Sequence, residues 1–189
     1  MKAKNHPYDF TYYALLFFST AFAGWLWEVT LYLITEHRFI NRGVYKGPYL
    51  PIYGVGGLLL CLLFRSWGKR PLTVFFSSSL LCTGLEYLTS LYLEARWGMR
   101  WWDYGGHFLN MGGRVCLLGA VAFGLGGWAL VCVFLPFYEK IYRKLSVKGR
   151  NLLCVLLLVA FAADAAWCAM KPNAGEGIAS KAEGAFKGL

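Results

Sequence analysis

Charged residues are scarce in this 189-residue chain: Asp, Glu, Lys and Arg make up only 15% of it, against about 25% in a typical soluble domain. Hydrophobic residues reach 58%, and the mean hydropathy is +0.46. The charged and turn-forming residues are confined to short islands between apolar runs of roughly 17–25 residues, the length that crosses a bilayer. The composition therefore predicts an integral membrane protein. It excludes a disordered chain, a soluble enzyme fold and a secreted disulfide scaffold.

The sequence also lacks the short motifs of the common catalytic classes. It has no GxxxxGK[ST] phosphate-binding loop, so the chain carries no P-loop ATPase site of its own, and it has no HExxH or GxSxG motif. His6, His37 and His107 stand in separate polar islands, and the cysteines show no metal-ligand spacing. We therefore expect no metal site and no cofactor, and cysteines that act as small hydrophobic side chains.

Basic residues exceed acidic residues by 19 to 10, which gives a formal net charge of +9. They are spread over the polar islands and form no basic stripe interleaved with exposed aromatic residues. The excess therefore predicts contact with anionic membrane lipids and not with nucleic acid.

Five apolar runs predict five transmembrane helices, at about 10–34, 48–67, 72–93, 112–137 and 152–170. The first run is too long for the apolar region of a secretory signal, so we expect it to remain as an anchor. Pro48, Pro51 and the nearby glycines make the first turns of the second span poor helix. Irregular backbone at that depth is tolerated only against protein or a wet cavity.

The expected architecture is an all-α polytopic bundle, with a single membrane domain over 1–178 and a short flexible tail over 179–189. An odd number of spans places the two termini on opposite faces of the membrane. The number of basic residues on each face does not decide the orientation. The dense basic run at 138–150, which contains one acid, favours the cytoplasmic face. We therefore predict a cytoplasmic N-terminus and an outer C-terminus.

With that orientation, the polar residues inside the spans fall in one layer on the outer side. Glu28, Glu86 and Asp164 each lie late in an outward-running span, and Arg114 begins the inward-running fourth span at the same level. The loops and span ends of that side add Asn41, Arg42, Tyr49, Tyr53, Arg100, Trp101, Trp102, Asp103 and Asn110. Charges at membrane depth face the bundle interior, pair with each other or mark a substrate path. Together these residues predict an outward-facing polar and aromatic vestibule that binds a ligand.

Other interpretations of the same residues stay open. An internal salt-bridge network of Arg42 and Arg114 with the carboxylates would hold the helices in register, and the aromatic residues would also suit an interfacial belt. A cage of rings beside carboxylates would instead favour a cationic or amphiphilic ligand. Glu28 or Glu86 would suit acid–base chemistry, but no nucleophile is evident beside them, so catalytic residues are unassigned.

Several ordered motifs carry a family resemblance. They are Gly24-Trp25 with Glu28, Asn41-Arg42-Gly43, Gly47-Pro48-Tyr49-Leu50-Pro51, Glu86-Tyr87, Arg100-Trp101-Trp102-Asp103-Tyr104 and Gly113-Arg114. Over about 13–138 the chain resembles the CmpB-like ABC-transporter type IV family of small bacterial membrane proteins, although Leu50 replaces a cysteine that members often carry. The resemblance implies a multi-pass protein of the bacterial cytoplasmic membrane that acts as a transporter subunit.

Two functions from different classes follow. The first is a permease-like protein that binds a small or amphiphilic solute in the vestibule and works with a separate ATPase subunit, for which 138–150 is the candidate coupling segment. The second is a membrane-embedded enzyme or lipid-binding protein acting on an envelope lipid, with Arg42, Arg100 and Arg114 holding a phosphate or carboxylate. The expected partners are membrane lipids and the ATPase subunit, and a homo-oligomer is compatible with either function.

Overall fold

The computed structural model describes residues 8–175 and 177–181 and is mainly helical. The helices are α1 (Phe10–Glu36), α2 (Pro51–Phe64), α3 (Pro71–Trp97), α4 (Leu117–Ala129), α5 (Leu135–Lys144) and α6 (Val147–Met170). A 3₁₀ turn, Arg65–Trp67, extends α2, and a π-helical turn, Leu130–Phe134, joins α4 to α5. Two short strands, β1 (Met99–Arg100) and β2 (Ser180–Lys181), pair antiparallel. Part of the predicted flexible tail thus forms a strand, and its residues 182–189 lie outside the described part.

Four helical segments are long and apolar enough to cross a membrane: Phe10–Glu36, Pro71–Trp97, Leu117–Lys144 and Val147–Met170. The fifth apolar segment, Pro51–Trp67, is shorter. The helices alternate in direction, so the chain enters at one end of the bundle and its last described residues lie at the other. This architecture confirms the predicted all-α membrane bundle.

The second apolar segment is short because an extended segment, residues 37–50, precedes it. His37 ends α1 in the left-handed conformation, and the backbone N–H of Leu50 donates to the carbonyl of Ala21 at 3.0 Å. Ala21 lies 15 residues before the end of α1, or about 22 Å at 1.5 Å per residue. Residues 37–50 therefore run back along α1 into the bundle. The predicted irregular start of the second span is limited to 48–50, because the helix begins at Pro51 and Gly54, Gly56 and Gly57 lie within it.

Glycines allow the helices to approach closely at two interfaces. A Cβ atom on Gly57 of α2 would lie 2.6 Å from the hydroxyl of Thr20 in α1, and one on Gly124 of α4 would lie 2.6 Å from the ring of Phe75 in α3. One on Gly127 would overlap Ser78. Small residues at such contacts bring helix backbones together, which is how membrane helices gain packing energy without a hydrophobic driving force.

The apolar core occupies the end of the bundle at which α1 begins. Its largest member is Tyr12, which is 1% exposed and makes edge-on ring contacts with four other tyrosines. Beside it, Glu139 of α5 accepts hydrogen bonds from Tyr8 and Tyr12 and lies 3.6 Å from the guanidinium of Arg65. The six cysteines are free thiols.

The fourth span begins later than the sequence predicts. Gly112 and Gly113 have φ values of 59° and 70°, which a right-handed helix does not allow, and α4 starts only at Leu117 after Cys116 caps it. Arg114, expected in the first turn of that span, therefore lies in the irregular segment 101–116.

The basic run at 138–150 is helical and not a loop. α5 continues to Lys144, and only Leu145 and Ser146 separate it from α6. Pro136, which would interrupt a regular helix, is preceded by the π-helical turn, in which the N–H of Leu135 donates to the carbonyl of Leu130. The predicted coupling segment is thus the end of one long helix, the start of the next and a two-residue connection.

Candidate functional site

The residues predicted to form the vestibule lie at one end of the bundle, which we call the polar layer. It comprises the C-terminal halves of α1, α3 and α6, the start of α2, the segments 37–50 and 98–116, and residues 171–175 and 177–181, which we call the tail from here on. The structure brings the predicted residues into this layer but divides them among several separate clusters. Their role in binding a ligand remains a prediction.

Arg42 is the centre of the first cluster and is 3% exposed. Its Nε donates to the carboxylate of Glu28 at 3.2 Å, and one terminal nitrogen donates to the carbonyl of Trp101 at 2.6 Å. The other terminal nitrogen donates to the carbonyls of Gly177 and Ile178 at 3.3 and 3.1 Å. The guanidinium therefore joins α1, the segment 98–116 and the tail, and its hydrogen-bonding capacity is largely used.

A second buried ion-pair cluster forms around Glu94, which the sequence pattern assigned to a polar loop. Glu94 lies on the last turns of α3, is 5% exposed and accepts from Arg114 at 2.7 Å and from Arg100 at 2.9 Å. Arg114 also donates to the hydroxyl of Ser90 at 3.0 Å. Glu94 is the main site residue that the sequence reasoning missed. Glu86, Ser90 and Glu94 follow one another at intervals of four residues, which places all three on one face of α3. This spacing is the signal in the sequence from which Glu94 could have been predicted.

Glu86 is the third buried carboxylate, 5% exposed, and it forms no ion pair within the described residues. The hydroxyl of Tyr104 donates to its Oε1 at 3.0 Å, whereas its Oε2 is buried and has no hydrogen-bond partner in the described part of the chain. Burial, with the Glu86 carboxylate alongside, raises the pKa of Tyr104, so this hydroxyl stays a donor. The hydroxyl of Tyr53 faces Glu28 in the same region.

Asp164 of α6 holds the segment 37–50 in place. Its carboxylate accepts from the backbone N–H groups of Lys46 and Gly47, the latter at 2.9 Å, from the hydroxyl of Tyr49, and from the thiol of Cys168. Backbone N–H groups at membrane depth need such acceptors, because hydrocarbon offers none. Asp164 therefore stabilises the segment 37–50, and the hydroxyl of Tyr49 is one of the donors that it binds.

Asn41 and Trp101 connect the same segment to the tail. The side chain of Asn41 accepts from the indole of Trp25 at 2.7 Å and donates to the carbonyl of Lys46 at 2.8 Å. Asn173 donates to the carbonyl of Asn41 at 2.9 Å and accepts from the indole of Trp101 at 3.0 Å. These contacts join the residues that directly follow α6 to the segment 37–50 and to Trp101.

The remaining predicted residues shape the segment 101–116. The indole of Trp102 donates to the carbonyl of Arg114 at 2.9 Å, and Asp103 accepts from the N–H of Gly105 at 2.8 Å. Asn110 donates to the carbonyl of His107 and accepts from the N–H of Gly113. The Asp103 side chain is 54% exposed. This segment also carries Tyr104, whose hydroxyl binds Glu86.

A partly open pocket of about 120 Å³ lies between the ends of α3 and α6. Its lining includes Tyr45, Tyr92, Arg96, Trp97 and Cys168, and none of the predicted vestibule residues. Within the described residues, no group of three His, Cys, Asp or Glu side chains is placed to hold a metal ion. In that same part of the chain, three buried side-chain oxygens lack a hydrogen-bond partner, and all lie on α3: the hydroxyls of Ser78 and Thr83 and Oε2 of Glu86. Of these three, only the oxygen of Glu86 belongs to a carboxylate, and the arginines of the layer are already paired.

Comparison with known proteins gives one match. A family model described as "Putative ABC-transporter type IV" matches residues 15–169. No curated protein and no solved structure matches the chain. The matched region runs from the first turns of α1 almost to the end of α6, so it contains the whole bundle and most of the polar layer. With its helical membrane bundle, this protein belongs to the ABC-transporter type IV family.

Proposed function

We propose that this protein is a permease-like membrane subunit that binds a small cationic or amphiphilic solute in the polar layer, beside Glu86. The observation that carries the proposal is the buried Glu86 carboxylate, which has no cationic partner among the described residues. Membership of a transporter-type family supports a role in transport.

The charges of the layer favour a cation over an anion. Arg42 pairs with Glu28, and Arg100 and Arg114 share Glu94. Within the described residues, Glu86 is left with only a tyrosine hydroxyl, and its charged neighbour Glu28 is a second carboxylate. A cation beside Glu86 would gain Coulomb attraction in a medium of low dielectric constant. It would also lie near the rings of Tyr53 and Tyr104, which favour cations.

We expect purified protein in nanodiscs to bind benzyltrimethylammonium more tightly than benzoate, an anion of similar size. Glu86→Gln should weaken binding of the cation about tenfold or more, since about 1.4 kcal/mol of lost charge attraction already gives that factor. Isothermal titration calorimetry measures the affinity of each protein for each ion. The matched control is Glu36→Gln, an exposed carboxylate at the end of α1. Equal cation binding by wild type and Glu86→Gln would contradict the proposal.

The lipid-headgroup alternative has less support. It needs guanidinium groups free to hold a phosphate, whereas the N–H groups of Arg42, Arg100 and Arg114 already donate to carboxylates, carbonyls and a hydroxyl. Tighter binding of benzoate in the same experiment would favour it. A separate ATPase subunit would contact the opposite end of the bundle, where Lys140, Arg143 and Lys144 are exposed.

We propose the orientation predicted from the basic residues, with the polar layer at the extracytoplasmic face. The end at which α5 meets α6 carries exposed basic residues, which favours the cytoplasmic side. A reporter fused after Leu189 should read extracytoplasmic, and one inserted at Gly149 should read cytoplasmic. The same side for both would contradict five crossings.

A further inference from the structure

We infer that Glu86 is a proton-binding site of the membrane domain: its carboxyl group holds a proton on Oε2 when the layer is empty and releases it when a cation takes its place. The first half stands on the geometry of the side chain alone. The second half rests on the proposed function.

The position of Glu86 in the bundle is the first argument. It lies 15 residues after the start of α3, about 22 Å along a helix about 40 Å long at 1.5 Å per residue. The side chain is 5% exposed, and neighbouring α4 approaches it at Gly119, where an added Cβ atom would lie 3.9 Å from Oε2. Water therefore has little access, and an ionised carboxylate in that place would bear a large desolvation cost.

The groups that surround Glu86 are the second argument, because no cation pairs with it in the part of the chain that the structure describes. The titratable neighbours are Glu28 from α1, Tyr53 from α2, Cys82 one turn earlier on α3, Tyr104 from the covering segment, and Cys116 at the start of α4. Arg114 reaches the same face of α3 but binds Ser90 and Glu94. The nearby carboxylate of Glu28 opposes a second negative charge at Glu86. Both burial and charge therefore favour the neutral acid.

The unused oxygen is the third argument. Oε1 accepts from Tyr104, and Oε2 has no donor among the described residues. An anionic oxygen with no donor is far costlier in a buried position than a neutral hydroxyl. A proton on Oε2 removes the charge and keeps the hydrogen bond from Tyr104 to Oε1.

The exchange step conserves charge in the site. The O–H bond at Oε2 breaks, its electron pair stays on the carboxylate, and the proton passes to water at the face of the layer. The cation that enters supplies the compensating positive charge. Intramembrane carboxylates of transporters serve as proton relays for this physical reason.

The first test is infrared spectroscopy of the ligand-free protein in nanodiscs at neutral pH. Wild type should show the carbonyl-stretch band of a protonated carboxylic acid, and the band should be lost in Glu86→Gln and kept in the exposed control Glu36→Gln. Tyr104→Phe should keep the band and shift it to higher frequency, because the carbonyl loses its hydrogen-bond donor. Identical spectra for wild type and Glu86→Gln, or no shift in Tyr104→Phe, would overturn the proton site even if one variant folded poorly.

The second test measures proton release in weakly buffered solution when benzyltrimethylammonium is added. Wild type should release protons in proportion to the cation bound, and Glu86→Gln should release none. Cation binding without proton release would overturn the exchange and leave the proposed function standing. If wild type shows the infrared band but binds no cation, the proton site stands and the proposed function falls.

Discussion

Arg114→Gln should lower the thermal stability of the purified protein in detergent sharply, and Glu94→Gln should lower it at least as much. Each change removes one partner of a buried ion pair, which costs about 3–5 kcal/mol, although Arg114→Gln leaves Glu94 paired with Arg100. Glu94→Gln deprives two arginines, Arg100 and Arg114, of their shared carboxylate. The melting temperature, followed by tryptophan fluorescence, to which the buried Trp101 of the polar layer contributes, measures the loss.

The double variant Glu94→Gln with Arg114→Gln tests whether Arg114 pairs with Glu94, as in the structure, or with Glu86, one of the carboxylates that the sequence offers as a partner. It should recover much of the lost stability, and the recovery should stop short of wild type because Arg100 keeps a hydrogen bond to the carbonyl of Gly112, at 3.1 Å, but has only the exposed carboxylate of Asp103, at 3.9 Å, left to pair with among the described residues. Glu86→Gln with Arg114→Gln should recover nothing, since those two side chains do not pair. Arg96→Gln, at an exposed position of α3, should change the stability by no more than about 0.5 kcal/mol. Recovery in the Glu86 pair would show that the ion pairs are assigned wrongly.

Arg42→Gln should destabilise the protein by a similar amount, about 3–5 kcal/mol, and should also release the tail. The guanidinium donates to Glu28 and to three backbone carbonyls, two of them in the tail. Glutamine has a single amide and cannot replace these bonds. Limited proteolysis followed by mass spectrometry should show new cleavage near 177–181.

Arg42→Lys is the matched control for charge. Lysine restores the positive charge beside Glu28 but lacks the planar fork that reaches several carbonyls at once. We therefore expect partial recovery of the melting temperature with the tail still cleaved. A tail that stays protected in both variants would mean that β1 and Asn173 hold it without Arg42.

The sequence predicted the level of the polar layer well because charge in an apolar run is rare and its depth can be read from its position along the span. Glu28, Glu86 and Asp164 were found in this way. The sequence did not predict which charged side chains form ion pairs, for a different reason. A helix does not end where hydrophobicity ends: α3 continues to Trp97 and stops at Gly98, with φ of 66°, so Glu94 stays on the buried face. Hydropathy alone placed it in a loop.

The predicted start of the fourth span, at about 112, was wrong because the apolar residues begin several positions before the backbone becomes helical at Leu117. Gly112 and Gly113 take left-handed conformations, and Asn110 accepts the N–H of Gly113. Likewise, the basic run that follows the apolar residues suggested a loop over 138–150, yet the π-helical turn lets the helix continue past Pro136 to Lys144. Both outcomes depend on local hydrogen bonds that hydropathy does not record.

The extended segment 37–50 has a consequence for the order in which the protein is assembled. Its backbone donors at Lys46 and Gly47 bind Asp164, more than a hundred residues later in the chain, and its carbonyls at Asn41 and Gly43 bind Asn173. During synthesis, α1, α2 and α3 emerge before these partners exist. The segment reaches its final conformation only after α6 and the residues beyond it have entered the membrane, so a chain truncated before α6 would insert helices without ever completing this part of the polar layer.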